Sequence, residues 1–501
     1  MTRALAVLVA ASGLAAPLAA GEPAGTASLR PSVLLVLVDD LKPLLGAYGD
    51  PRVRTPGIDR LAASGVRFES AYANQAVCAP SRNALLTGLR PTTIGVYDLP
   101  TFFREAVPDA VTLPQHFMRN GWRTEALGKV LHTGHGNRED PASWSVPHWS
   151  PKGGLYASPA GEGTPPRPVS NEAADAFEAP RGPAVESSDV ADDAYADGRI
   201  AEEAIRRLRA AAKRPGEPFF LAVGFRKPHL PFAAPARYWR LYERALFEPP
   251  ARQTPPEGAP EFAPTTWGEL RRYSDVPDVG PLSVEQQREL IHGYHAAVSY
   301  VDAQVGRVLD ELDRLGLTGH TLVVLWGDHG WHLGDHGMWA KHTNYEQAAR
   351  IPLVVRAPGV TRAAAAARAL VETVDIYPTL CELAGLPVPA GLDGRSFVPA
   401  LRQPGADGGK EAVFHVYPRT PRGLGPLLGR AVRTRRHRLI EWKAAGAPLE
   451  SAVLELYDYE KDPGETRNLA TDEPKTVATL RALLAARPEA RPQVEKRLPP
   501  S

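Results

Sequence analysis

The sequence predicts an α/β protein in which one large domain carries most of the chain. Three continuous apolar runs, at residues 33–38, 219–225 and 321–326, predict strands that are fully buried. Apolar residues at three- and four-residue spacing over 193–212 and 284–315 predict helices between those strands. Alternating strands and helices are typical of a sheet flanked by helices, which is the architecture we expect here.

A smaller α+β domain is predicted at the C-terminal end of the chain. The stretch QPGADGGK, which begins at residue 403, has the composition of a linker. Beyond it, several short strand patterns and one helical pattern at 473–486 predict a subdomain that packs on the large domain. We therefore expect domains at 30–402 and 410–501.

Residues 1–20 have the features of a secretory signal. Arg3 precedes an apolar run rich in Ala, Leu and Val, and the run ends in small residues before Glu22. The signal predicts export to the periplasm or the cell exterior, with an uncleaved N-terminal anchor as the alternative. No later segment is apolar for long enough to span a bilayer, so no membrane association is expected after cleavage.

The net charge argues against a partner bound through bulk electrostatics. The 501 residues include 58 Lys and Arg and 57 Asp and Glu, which gives a net charge of +1. So small a charge attracts neither nucleic acid nor an anionic membrane, and no nucleic-acid partner is expected. Any anion that the chain binds must be met by a local site.

Two stretches interrupt the alternation of strands and helices. Residues 134–188 are rich in Pro, Gly, Ser and acidic side chains, and residues 247–281 are rich in Pro. Both are expected to be long ordered loops over the edge of the sheet, or mobile lids.

The two cysteines lie in different surroundings. Cys78 is in the polar segment NQAVCAPSRN, whereas Cys381 is in the apolar, helix-like segment VDIYPTLCELAGL. One disulfide or two inert core thiols are the simple interpretations in an oxidising compartment. The contrast in surroundings instead predicts different roles for the two thiols.

Charged residues follow each predicted strand of the large domain. Asp39 and Asp40 follow the first strand, His229 comes after the second, and Asp328 and His329 follow the third. The carboxyl ends of strands in open α/β sheets are where sites form. Carboxylates crowded there predict a divalent cation site, although an isolated Asp-Asp pair also suits a turn or a helix cap.

The segment CAPSRNALLTG at residues 78–88 resembles the signature of the type I sulfatase family, C-x-P-S-R followed by Leu-Thr-Gly. GKVLHTG, KPHLPF and GDHGWHLGDHGMWAKH extend the resemblance, which runs from residue 33 to about residue 470. It implies an alkaline-phosphatase-like fold with a large mixed sheet and a catalytic domain at 30–402. Within the family, the chain is most similar to the iduronate-2-sulfatase branch.

The resemblance implies a modified cysteine. In the family, a formylglycine-generating enzyme oxidises the signature cysteine, and Cys78, Pro80 and Arg82 match the residues that this enzyme recognises. A hydrated aldehyde has two geminal hydroxyls, so one attacks sulfur and the other later expels sulfate from the sulfo-enzyme intermediate. Pro80 and Ser81 suit a helix start, which predicts Arg82 in the first turn, facing an anion.

The resemblance also implies one Ca²⁺ ion. No residue departs from the family pattern at the positions of its metal ligands, although many sulfatases have Asn where this chain has His329. The implied ligands are Asp39, Asp40, the modified Cys78, Asp328 and His329.

A set of cationic side chains is implied around that ion. Arg82 and Lys129 would hold the formylglycine and the sulfate, and His132 would take the proton that drives sulfate elimination. His229 and Lys341 would bind sulfate and protonate the leaving group. Lys129 and His132 are three residues apart, so they would share one face of a helical turn.

The activity implied is hydrolysis of a sulfate ester on a sugar. The substrate would be a fragment of a glycosaminoglycan or another polysaccharide, with uronate 2-O-sulfate as the narrower expectation. Hydrolysis of a phosphate or phosphonate monoester on the same fold is the first alternative. A sulfated-glycan-binding protein without activity is the second, and it requires that Cys78 is never oxidised.

Three further expectations concern residues outside the implied site. Lys227 and His342 are expected to face water. Loop aromatics suit either sugar stacking or anchoring of the loop, and anchoring is favoured; these are Trp144, His148 and Trp149. A basic run suits either a polysulfated chain or, preferably, a solvated strand face; it comprises Arg430, Arg433, Arg435, Arg436 and Arg438.

Overall fold

A computed structural model describes residues 1–2, 30–158, 182–406 and 409–495. The strands are β1 Ser32–Val38, β2 Val66–Tyr72, β3 Arg123–Gly128, β4 Val185–Ser188, β5 Phe219–Phe225, β6 Phe232–Pro235, β7 Thr321–Gly327, β8 His332–Leu333, β9 Trp339–Ala340, β10 Arg350–Ile351, β11 Leu353–Arg356, β12 Ala365–Glu372, β13 Val413–Arg419, β14 Leu427–Arg433, β15 His437–Lys443 and β16 Val453–Asp458. The helices are α1 Pro56–Ala63, α2 Cys78–Thr87, α3 Pro91–Ile94, α4 Phe103–Ala106, α5 Leu113–Arg119, α6 Ala196–Ala212, α7 Ala236–Trp239, α8 Val284–Arg314, α9 Glu346–Ala349, α10 Ile376–Leu383, α11 Val398–Arg402 and α12 Pro474–Ala485.

A mixed sheet forms the centre of the large domain. Its strand order is β10-β2-β11-β7-β1-β5-β3, and β12 pairs with β2 as well. Strands β3, β5, β1 and β7 run parallel, whereas β11 is antiparallel to both β7 and β2. The three strands predicted from apolar runs are therefore direct neighbours, and the α/β fold class is confirmed.

The residues of β1 alternate between two hydrophobic cores. Leu34 and Val36 belong to the core that α1, α6 and α8 cover, and Val33 and Leu35 belong to the core that α2, α5 and α10 cover. Because successive side chains of a strand point to opposite faces, a continuous apolar run is needed where both faces are buried. The sheet is thus enclosed on both sides, and its polar chemistry is confined to its edges.

The two long predicted helices differ from prediction only at their ends. Helix α8 begins after Ser283, whose hydroxyl accepts from the Gln286 backbone N–H in a capping box. Helix α6 begins at Ala196, later than expected, because residues 192–194 form a 3₁₀ turn before it. Among the described helices, none combines the length and apolar character needed to cross a bilayer. Residues 3–20 of the predicted signal lie outside the described residues.

The C-terminal region contains the antiparallel sheet β13-β14-β15-β16, with α12 packed on it. The expected boundary between 402 and 410 falls between α11 and β13, and residues 407–408 lie outside the described part. Hydrogen bonds join the large domain to the C-terminal sheet: the Asn74 amide donates to the Phe414 carbonyl at 2.9 Å, and the Tyr345 hydroxyl donates to Glu455 at 2.9 Å.

The basic run at 430–438 does not form a solvated strand face or a glycan-binding face. Arg430, Arg433 and Arg438 are buried. Arg438 pairs with Glu346 at 2.6 Å and Arg430 with Glu441 at 2.7 Å, so their charges are used inside the protein. The exposed members of the run are Arg435 and Arg436.

Residues 247–281, named here the proline-rich insert, form an ordered loop. Leu270 and Tyr273 of the insert are buried in the core beneath α8. The Arg419 guanidinium donates to the carbonyls of Phe262 and Ala263 at 2.8 and 3.1 Å, which ties the insert to strand β13. In the other long loop, the described residues include β4, which pairs in parallel with β6; residues 159–181 lie outside the described part.

Candidate active site

Charged side chains from four parallel strands meet at one edge of the large sheet. Asp39 and Asp40 follow β1, Asp328 and His329 follow β7, and His229 comes after β5. Strand β3, which the sequence analysis missed, pairs with β5 and brings Lys129 to the same edge. The site therefore forms at the carboxyl ends of the strands, as predicted.

Cys78 is the first residue of helix α2 and is 2% exposed. Its Sγ lies 3.4 Å from His329 Nε2 and 3.6 Å from the Nζ atoms of both Lys129 and Lys341. Burial, reinforced by Asp39, raises the pKa of the Cys78 thiol well above its usual value. The helix starts two residues earlier than predicted, so Arg82 lies one position beyond the first turn.

Arg82 is enclosed between two carboxylates. Its guanidinium donates to Asp39 Oδ1 at 2.9 Å and to Asp328 Oδ2 at 2.9 and 3.1 Å, and it also donates to the backbone carbonyls of Lys129 and Val130. All three charged side chains are buried. Burial by itself raises the pKa of Asp39, but Lys129 and Arg82 outweigh it and hold that pKa well below the usual value. Lys129 and Arg82 together thus favour the ionised form of Asp39.

The predicted metal ligands lie together. One ligand atom from each lies within 4.8 Å of every other, and all the residues are buried. His329 Nδ1 lies 3.1 Å from the Gly330 carbonyl, to which it can donate, and Nε2 faces the cluster, 3.3 Å from Asp40 Oδ1. The five residues are Asp39, Asp40, Cys78, Asp328 and His329.

Lys129 and His132 do not share a helical turn. Lys129 follows Gly128, the last residue of β3, whose φ of +70° turns the chain out of the sheet. Lys129 Nζ pairs with Asp39. His132 lines the same cavity, and its Nε2 lies 2.9 Å from His135 Nδ1. Burial, together with Lys129 and His135, holds the pKa of His132 well below its usual value, so the imidazole is neutral.

Lys341 and His229 approach the cluster from two further elements. Lys341, just after β9, donates to Asp40 Oδ1 and Oδ2 at 2.8 and 3.0 Å. His229 follows β5, with Nδ1 2.7 Å from the Leu230 carbonyl and Nε2 directed toward the site, 3.9 Å from Asp40 Oδ2. Every sequence-predicted site residue therefore lies in or beside one cluster.

Glu269 is a site residue that the sequence analysis missed. It comes from the proline-rich insert, and its carboxylate lies 3.1 Å from His229 Nε2 and 3.3 Å from Lys341 Nζ. A single Glu in a Pro-rich stretch has no signal in sequence, because only tertiary folding brings the insert over the strand ends.

Lys227 does not face water, contrary to the prediction. Lys227 is buried, and its Nζ donates to the carbonyls of His229 and Pro231 at 2.9 and 2.5 Å. Burial lowers the pKa of Lys227 to about 8 and that of His342 to about 3. Lys227 instead supports the turn that carries His229, whereas His342 is half-buried and lines the cavity described below.

A cavity of about 1260 Å³ opens onto these residues. Its lining includes Cys78, Lys129, His132, His229 and Lys341, together with aromatic side chains from the insert and β13, namely Trp267 and Tyr417. The cavity is large enough for a sugar ligand.

The loop aromatics do not line this cavity. Trp144 is buried, and its Nε1 donates to Glu139 at 3.0 Å. His148 Nε2 lies 2.7 Å from the Gly128 carbonyl, and Trp149 packs against the core. Anchoring of the loop is therefore confirmed over sugar stacking.

The two cysteines are not paired. Both Cys78 and Cys381 are free and buried. Cys381 packs in the apolar core on α10, where burial raises its pKa to about 12. The prediction of different roles holds at the level of environment, because one thiol faces charged groups and the other faces apolar side chains.

Comparisons with known proteins agree with this arrangement. The family model described as Sulfatase matches residues 31–386, and the model described as N-sulphoglucosamine sulphohydrolase, C-terminal, matches residues 334–489. Iduronate 2-sulfatase of Mus musculus is 38% identical over 420 residues, which cover 77% of this chain and 74% of that protein.

Two solved structures show the same fold. One, in complex with its substrate D-glucosamine-2-N,6-O-disulfate, has a TM-score of 0.70 and 24% identity and covers 91% of this chain and 97% of that chain. The phosphonate monoester hydrolase of Silicibacter pomeroyi has a TM-score of 0.71 and 24% identity, with coverage of 91% and 94%. The fold is thus the alkaline-phosphatase-like fold of sulfatases. With the sulfatase model matched across the large domain and the signature cysteine buried among the acidic cluster and two lysines, this chain belongs to the sulfatase family.

Proposed function

We propose that this chain is an exported sulfatase that removes the 2-O-sulfate from a uronate in a sulfated glycan fragment. The observation that carries the proposal is the position of Cys78, 3.6 Å from two lysine ammonium groups in a cavity of sugar size. The substrate rests on the 38% identity to the iduronate 2-sulfatase of Mus musculus.

Membership of the family implies a formylglycine and a metal ion. We propose that a formylglycine-generating enzyme oxidises Cys78, since the raised pKa of the thiol makes the cysteine itself a poor nucleophile. When Cys78 carries the aldehyde, its hydrate supplies one hydroxyl that attacks sulfur and a second whose deprotonation releases sulfate.

The donor set fits a divalent cation, and we propose Ca²⁺. Three carboxylates and His329 Nε2 converge, and hard oxygen donors suit calcium. The ligands would be Asp39, Asp40, Asp328 and His329, with an oxygen of the modified Cys78; the ion would supply positive charge beside the reacting sulfate. Asp39 and Asp40 also contact Lys129 and Lys341, so the ion would share these carboxylates and leave both ammonium groups able to contact an anion.

The remaining residues then have separable tasks. Lys129 and Lys341 bind the sulfate oxygens, because both already lie beside Cys78. His229, held through Nδ1 by the Leu230 carbonyl, presents Nε2 to the leaving oxygen as a proton donor. His132 is neutral and lines the cavity, so it can accept the proton that the second hydroxyl of the hydrate loses as sulfate departs.

The substrate is tested with a panel of sulfated uronate disaccharides and a simple aryl sulfate. The protein is produced together with the maturation enzyme, and released sulfate is measured for each compound. We expect release from uronate 2-O-sulfate. Activity confined to the aryl ester or to other sulfated sugars would support the sulfatase activity but contradict the uronate substrate. Faster cleavage of phosphate esters would favour the alternative activity, hydrolysis of phosphate or phosphonate monoesters.

Chelation is expected to lower kcat more than about 100-fold. Loss of the ion would leave Asp40, whose Oδ1 lies 2.8 Å from Lys341 Nζ, to compete with the sulfate for that ammonium group. Calcium is expected to restore turnover better than magnesium, because a crowded carboxylate site suits the larger ion. Turnover is measured alongside the metal content of each sample; full activity in a sample that contains no metal would refute the proposed role.

Export is tested by cell fractionation and N-terminal sequencing of the mature chain. Cleavage near residue 20 is expected, because small residues end the apolar run there. A mature protein that retains Met1 in the membrane fraction would instead support the uncleaved anchor.

A further inference from the structure

The proline-rich insert places a carboxylate against a lysine and a histidine of the active site. Glu269 lies 3.1 Å from His229 Nε2 through Oε1 and 3.3 Å from Lys341 Nζ through Oε2. Its side chain is 15% exposed and lines the same cavity as Cys78. Glu269 lies outside the five-residue cluster of the proposed metal site, although one ligand atom each of Glu269, His229 and Asp40 also lie within 4.8 Å of one another.

Glu269 is ionised in this position. Burial raises the pKa of its carboxyl, but Lys341 and His229 outweigh burial and hold the pKa well below its usual value. A full negative charge therefore borders the space where Lys341 and His229 meet a substrate. That charge reduces the positive field which these two residues present to an anionic ester.

The insert does not need this carboxylate to hold its place. Arg419 donates to the carbonyls of Phe262 and Ala263, and Leu270 and Tyr273 are buried in the core. A neutral residue of the same shape at position 269 should leave the loop where it is. The charge of Glu269 can accordingly be tested apart from the fold of the insert.

We propose that Glu269 is a specificity-determining residue that favours singly charged sulfate esters over doubly charged phosphate monoesters. The inference rests on the proposed sulfate ester hydrolysis at Cys78. A phosphate monoester carries a charge of about −2 near neutral pH, whereas a sulfate ester carries one negative charge. The second charge of a phosphate is repelled by Glu269, and repulsion between like charges in a partly desolvated site is costly.

The test compares Glu269→Gln with the parent enzyme on three aryl esters: a sulfate, a phosphate and a phosphonate monoester. The ratio of kcat/KM for phosphate to that for sulfate is expected to rise roughly tenfold in the variant, because one repulsive charge is removed. The phosphonate monoester is singly charged like the sulfate, so the ratio of kcat/KM for phosphonate to that for sulfate should stay within about twofold of the parental ratio. This third ester separates the charge of the substrate from the identity of its central atom.

Inhibition gives a second measurement that does not depend on phosphate turnover. Phenyl phosphate and benzenesulfonate are compared as competitive inhibitors of aryl sulfate hydrolysis. The inhibition constant of phenyl phosphate is expected to fall roughly tenfold relative to that of benzenesulfonate in Glu269→Gln.

Two further variants act as controls. Glu269→Asp keeps the charge and should keep the parental ratios, even where the shorter side chain lowers overall activity. Asp278→Asn removes one charge from the same cavity wall, next to Arg271, and should change the ratios less than Glu269→Gln does.

The proposal fails if Glu269→Gln lowers kcat/KM for all three esters by one common factor. It also fails if Glu269→Asp changes the ratio of kcat/KM for phosphate to that for sulfate as much as Glu269→Gln does. Either result would mean that Glu269 only supports the packing of Lys341 and His229. A parent enzyme that releases no sulfate from any ester would instead overturn the proposed function itself.

Discussion

Replacement of Cys78 by serine is expected to lower kcat/KM for sulfate esters by more than about 10³-fold. Serine has a single hydroxyl, so attack on sulfur would leave a stable ester with no second hydroxyl to expel it. The fold should persist, because serine differs from cysteine by one atom and Lys129, Lys341 and His329 remain around it.

The variant is measured by steady-state kinetics and by thermal unfolding, and the parent protein by mass spectrometry of the Cys78 peptide. A formylglycine residue is about 18 Da lighter than cysteine. Cys381→Ala is the matched control: it alters the other buried cysteine, in the apolar core, and should keep the activity. Near-full activity of Cys78→Ser would refute the formylglycine mechanism.

Arg82→Met is expected to lower the free energy of unfolding by about 3–5 kcal/mol in chelated protein. Methionine fills most of the same volume but leaves Asp39 and Asp328 without the guanidinium that lies 2.9 Å from each. Two buried carboxylates would then face one another with Lys129 as the nearest remaining partner of Asp39. Added Ca²⁺ should recover part of the loss, because the cation supplies charge at the same carboxylates.

The measurement is chemical denaturation with and without calcium, with Arg60→Met as the matched control. The Arg60 side chain is 49% exposed and pairs with Asp310, which is 63% exposed, so its loss should cost under about 1 kcal/mol. A loss for Arg82→Met as small as that of the control would show that the acidic cluster does not depend on Arg82 for its charge balance.

The acidic cluster was predictable because its residues follow directly on buried strands. The run 33–38 ends at Asp39 and the run 321–326 ends near Asp328, and β1 and β7 prove to be parallel neighbours. Parallel neighbours carry their carboxyl ends to one edge, so a local pattern sufficed to place four ligands together. The position of Lys129 at the same edge could not be predicted in this way, because β3 was not predicted as a strand.

Other residues were predicted wrongly because their environments depend on distant segments. Lys227, Arg430 and Arg438 are charged, and charged residues are usually solvated. Here carbonyls of the His229 turn hold Lys227, and carboxylates from strand β15 and helix α9 hold the two arginines. Nothing next to them in the chain signals those partners.

The sequence by itself determined the α/β architecture, the family and the residues of the reacting centre. Apolar runs, helical spacing and the Cys78 signature are local patterns, and such patterns can be recognised in the sequence without knowledge of the fold. Only the tertiary structure decided that Arg82 joins Asp39 to Asp328, and that Glu269 of the insert contacts Lys341 and His229. Those contacts join residues far apart in the chain, and their energies arise from burial and charge pairing that exist only after the segments have packed together.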